Sequence, residues 1–119
     1  MPTRKDERER AALLQGTLDL LILRKLAFGS QHGQGIARAI QRESDEVFFV
    51  DHGSLYLALQ RLEEKGWVTA KWGLSENNRK ARFYTLTGKG RDQLARKISQ
   101  WHRIVNAVAR ILATEHAEA

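Results

Sequence analysis

The sequence predicts a mainly α fold with one small β-hairpin, and three observations carry that reading. Apolar segments of helical length recur along the chain. One pair of strand-like runs, Trp67 to Trp72 and Lys80 to Thr85, is joined by a polar stretch rich in turn formers. After Thr87 the apolar residues repeat at alternating steps of four and three, the spacing of a helix that packs along another helix. With 119 residues, 42% hydrophobic and 29% charged, the chain fits one domain of ordinary globular composition.

The first helix is expected from Leu13 to Phe28, regular from Gly16 or Thr17. Leucines lie almost all round it, so it belongs at the centre of the domain rather than on its surface. Gly29 reads as its C-cap and Ser30 to Gly33 as a turn. The second helix, about Gln34 to Glu43, turns Ile36 and Ile40 inward and Arg38, Gln41 and Arg42 outward. Gly35 costs this helix ~1 kcal/mol relative to Ala, which implies a close approach there. Asp51 follows the apolar run Val47-Phe48-Phe49-Val50 and is a good N-cap for a third helix that runs to Lys65, where Gly66 stops it. Leu55, Ala58, Leu59 and Leu62 make its core stripe.

The hairpin loop is expected over Gly73 to Arg79. In the second strand Lys80, Arg82 and Tyr84 alternate with Ala81, Phe83 and Thr85, so one face can pack while the other presents cations. Thr87 caps a last helix reaching about Ala113, with Leu94, Ile98, Trp101, Val105, Val108 and Leu112 as its apolar seam. The composition shift at Thr87 divides the chain into residues 1–86, a compact unit with a charged N-terminal arm, and 87–119, an extended helix. The seam needs a partner, and the candidates are the chain's own N-terminal helix and a second copy of the chain, both of which it can meet in a twofold dimer.

Charge and chemistry narrow the function. The net charge is +6. Nine basic residues and two acids lie between Lys71 and Arg103, so that span carries +7 and the remainder −1. A local positive field of this kind suits a polyanion, with a solvated helix face as the bland alternative. The chain has no cysteine, which removes disulfides, thiolate metal sites and cysteine nucleophiles and is compatible with a reducing cytoplasm. No apolar run approaches the ~18 residues of a membrane span. His32, His52, His102 and His116 lack metal-pair spacing, and no catalytic triad, P-loop or dinucleotide fingerprint occurs. Neither an enzyme nor a cofactor is expected.

Three helices, a basic hairpin and a trailing helix are the parts of a winged helix-turn-helix with an added tail. In that arrangement the third helix enters the DNA major groove and the hairpin lies on the backbone or minor groove. With the leucine stripe inward, Gly53, Leu57, Gln60, Arg61 and Glu64 face out, flanked by Ser54 and Tyr56. Gln and Arg carry the donors and acceptors that read adenine and guanine edges. In the hairpin Asn77, Asn78, Arg79, Lys80 and Arg82 can meet phosphates. A winged-helix module that binds protein through Leu57 and the third helix is the competing reading, and the charge of the wing favours DNA.

Five stretches, Gly16-Thr17-Leu18-Asp19-Leu20-Leu21-Ile22-Leu23, His32-Gly33-Gln34-Gly35-Ile36, Gly53-Ser54-Leu55-Tyr56-Leu57-Ala58-Leu59, Arg61-Leu62-Glu63 and Phe83-Tyr84-Thr85-Leu86-Thr87, follow one another along the chain. In these stretches and their order the chain resembles the PadR family of transcriptional regulators, in its short form with a single C-terminal helix. The resemblance implies a homodimeric DNA-binding repressor with a winged-helix domain and a C-terminal dimerisation helix; twofold geometry then points to an inverted repeat in double-stranded DNA, and the composition to a cytoplasmic protein. By position, Ser54, Tyr56 and Gln60 match the family's recognition helix, and Arg79, Lys80 and Arg82 its wing. Trp101, in mid-seam, matches a place where some members line a pocket for a hydrophobic effector; a packing role is the alternative. Leu57 stands where the family usually has Pro, and Gln34 where it usually has Tyr. Leu57 thereby adds an apolar contact suited to a thymine methyl.

Overall fold

The computed structural model describes residues 17–115. Its elements are α1 (Leu18–Leu26), β1 (Gln31–His32), α2 (Gly33–Glu43), α3 (His52–Glu64), β2 (Val68–Leu74), β3 (Lys80–Leu86) and α4 (Gly88–Ala113). The N-terminal arm and the predicted first turns of the first helix, Leu13 to Gly16, fall outside the described residues. α1 packs on α2, α3, α4 and β3, the central position that its all-round leucines require. Among the described residues, Ile22, Leu23 and Leu26 from α1, Ile36 from α2, Leu55, Leu59 and Leu62 from α3 and Val68 from β2 are the largest fully buried side chains.

The N-terminus of each of the last three helices is capped by a side chain, as the orphan N–H groups of a first turn demand. His32 Nδ1 accepts from Gly35 N at 3.1 Å, Asp51 Oδ1 from Ser54 N at 2.9 Å, and Thr87 Oγ1 from Gly90 N at 3.0 Å. Gly35 has the close approach expected of it: the space a Cβ would take is filled by the Gln31 side chain. In the link from α2 to α3, Asp45 and Glu46 both adopt positive φ (55° and 66°), and Val50 is the buried member of the apolar run.

Three expectations are corrected. Ser30 to Gly33 is not a simple turn, because Gln31 and His32 form β1, which pairs antiparallel with Tyr84 and Phe83 of β3. The hairpin is therefore part of a three-stranded sheet ordered β1-β3-β2. Its strands also run further than predicted, leaving only Ser75 to Arg79 as the tip, closed by Ser75 N to Arg79 O and Asn78 N to Ser75 O bonds of 2.8 Å each. Thirdly, Tyr84 does not belong to an outward set. It is buried (4% exposed) on the same strand face as Lys80 and Arg82. The period of two holds, but β3 leaves the body as it nears the tip, so one face packs at its base and displays cations at its end.

The junction before α4 is tightly tied. Thr87 Oγ1 donates to Gly66 O (2.7 Å), Thr87 N donates to Trp67 O (3.0 Å), and a Cβ at Gly90 would stand 2.1 Å from Trp67 O. Along α4, Leu94 is buried and Ile98 partly so, but Trp101, Val105, Val108 and Leu112 lie bare on the single chain, with Ile104 and Ile111 beside them.

Candidate nucleic-acid interface

α3 begins at Asp51, which also accepts the Ser54 hydroxyl at 2.8 Å, so this side chain is held at the cap. The leucine stripe anchors the helix and leaves Tyr56, Leu57 (60% exposed), Gln60 and Arg61 on the outer side, as the helical period requires. The Tyr56 ring lies over Gly33, where a Cβ would come within 2.8 Å of its hydroxyl. Gly33 thus lets the phenol rest on the start of α2.

The wing stands beside this helix. Between them runs a cleft of about 420 Å³ bordered by Tyr56, Arg38, Trp72, Arg79, Lys80 and Arg82. Of the predicted third-helix residues Tyr56 borders this cleft, facing Lys80 and Arg82 of the cationic strand, whereas Ser54, Leu57, Gln60 and Arg61 do not line it. Asn78, at positive φ (59°), is exposed in the tip, and exposed Arg79 borders the cleft. Further down α3, Gln60 shares a second hollow with Tyr56, Glu63, Glu64 and Arg82.

Carboxylates position several of the cations. Arg82 Nη2 donates to Glu63 Oε2 at 3.1 Å, which holds the wing guanidinium against α3. Arg61 Nη2 donates to Asp19 Oδ1 at 2.9 Å. The Arg61 head group thus reaches back to α1, and its bond ties the outer helix to the central one. Glu76, in the tip, accepts from Arg38 Nη2 (3.1 Å) and lies 3.3 Å from His32 Nε2. Because His32 Nδ1 accepts the α2 cap bond, Nε2 carries the proton and donates it towards Glu76. A hydrogen bond from its own backbone, followed by the one from His32, holds the Glu76 carboxyl below the usual range. Burial pushes the Tyr84 phenol up.

Sequence reasoning did not single out Arg38, Trp72 or Glu76 for this surface. Arg38 follows Gln34 by four residues on the polar face of α2, and that spacing was the available signal. Trp72 carried none beyond strand alternation with Val68 and Ala70.

The family model for the transcriptional regulator PadR-like family matches residues 22–96. A crystal structure of a PadR family transcription regulator from Clostridium difficile is 28% identical, with a TM-score of 0.71 over 82% of this chain and 99% of that one. A transcriptional regulator from Clostridium thermocellum is 25% identical, with a TM-score of 0.75 over 83% and 96% of the two chains. An uncharacterised protein from Lysinibacillus sphaericus is 27% identical over 95 residues, 80% of this chain and 87% of that protein.

Proposed function

The chain belongs to the PadR-like family and is a DNA-binding transcription regulator with a winged-helix fold, not an enzyme, and we propose that it is a repressor that binds an inverted-repeat operator as a homodimer. The observation that carries this reading is that Tyr56 of α3 borders one cleft with the cations of the wing, while Gln60 shares the adjoining hollow with Arg82. Ser54, Tyr56, Leu57 and Gln60 would enter the major groove. Arg61, although tied to Asp19, lies at the margin of that face. Asn78, Arg79, Lys80 and Arg82 would follow the phosphates. Residues 1–86 form the DNA-binding unit in this reading and 87–119 the dimerisation helix.

The exposed seam of α4 supports the dimer. Trp101, Val105, Val108 and Leu112 are bare on one copy, and two copies related by a twofold axis would cover them while setting two recognition helices ~34 Å apart on a palindrome. A hydrophobic effector entering between the paired tails would meet Trp101.

The test is selection from a random duplex pool followed by mobility shift. An inverted repeat should be enriched, and Arg79→Ala or Lys80→Ala should each reduce the slope of log K against log salt by ~0.9. Failure to retain any duplex at low salt would overturn the reading.

A further inference from the structure

We propose that Trp72, with Leu74 beside it, anchors the wing to DNA by packing its indole against the deoxyribose wall of the strand whose phosphates Lys80 and Arg82 neutralise. The inference rests on the DNA reading above and adds a non-ionic contact to it.

Trp72 and Leu74 are 62% and 65% exposed. They stand directly opposite Arg82 and Lys80 in the β2–β3 register. Opposed residues of an antiparallel pair share a face, so the two apolar groups and the two cations look the same way. Lys80 Nζ lies 5.5 Å from the Trp72 ring centroid, which brings ammonium and indole to one place. The other face of the hairpin differs. There Phe83 is half-buried and meets the His32 ring edge-on at 5.4 Å, so its large aromatic has a partner within the fold.

Charge complementarity names the occupant. The cleft bordered by Trp72 also carries Arg38, Arg79, Lys80 and Arg82 against the acid Glu76, with Glu63 of α3 bonded to Arg82, so cations remain in excess. An apolar protein partner would strip water from these cations without answering their charge. A DNA strand answers both features, because phosphates alternate along it with sugars whose carbon faces are apolar. The sugar, not the base, is the surface a duplex offers here, since its bases remain stacked. Covering about half of an indole in this way should be worth about tenfold in affinity.

The experiment measures binding of a labelled mixed-sequence duplex about three helical turns long over a salt series, by fluorescence anisotropy. Trp72→Ala should weaken binding about tenfold at every salt concentration with the slope unchanged, whereas Lys80→Ala should lower the slope by ~0.9. Trp72→Phe should keep most of the affinity. It should also lose the change in tryptophan emission that DNA produces in the unaltered protein, although Trp67 and Trp101 remain. Thermal melting checks that each variant is folded. Wild-type affinity in Trp72→Ala across the series, or an emission change that survives in Trp72→Phe, would overturn the proposal. If the unaltered protein binds no duplex, the DNA reading fails and this contact falls with it.

Discussion

Asp51 shows how much one carboxylate does at the start of α3. It accepts both the backbone N–H and the hydroxyl of Ser54. These bonds, the backbone one first, hold its carboxyl below the ordinary range. A depressed folded-state value contributes stability that is present above the unfolded value near 3.9 and is lost as pH falls through the folded one. Asp51→Ala should therefore cost ~1 kcal/mol at neutral pH. The gap between the two melting curves should close below about pH 4, a comparison that calorimetry over a pH series can make. Gly90 is constrained in a different way. Gly90→Ala would drive a methyl into the Trp67 carbonyl and the Leu86 side chain, and should cost ~1–3 kcal/mol in chemical denaturation. Gly88→Ala, with nothing within 4 Å of the new methyl, is the control and should be close to neutral.

At the scale of elements, what was legible in the sequence was whatever is periodic or local. The leucine stripe of α3, its Asp51 cap and the cationic second strand of the hairpin each show in a few consecutive residues, and all stand where the pattern puts them. β1 did not show, because two residues carry no alternation and their pairing partners, Tyr84 and Phe83, lie some fifty positions away. The pairing of Arg61 with Asp19 was hidden for the same reason: α1 and α3 meet only in the folded core. Strand alternation separated Tyr84 from Phe83 without revealing that the burial of Tyr84 at the base of β3 would share a face with exposed Lys80 at its tip. The candidate surface was thus readable as a helix and a wing, whereas the cleft between them, with Arg38, Trp72 and Glu76 on its border, came only from tertiary placement.

The described residues measure 61 × 38 × 21 Å, and the 26-residue α4, about 39 Å long at 1.5 Å per residue, accounts for much of that elongation. Leu94 and Ile98 fasten its first half to the core, and the apolar residues beyond them are left for another surface. On the dimer reading, Val108→Glu should place charges in the seam and shift sedimentation from the dimer to the single chain. The melting of the core should change little, because Val108 is exposed on one copy. In such a dimer the ties at Thr87 would have a further consequence. Gly66, Trp67 and Gly90 are held to that one residue, so tail and wing have no elbow between them and each copy would work like one arm of a caliper. A small rotation of one tail against the other, set far from any nucleotide, would then appear as a change in the gap between the two wings and hence in the half-site spacing that fits best.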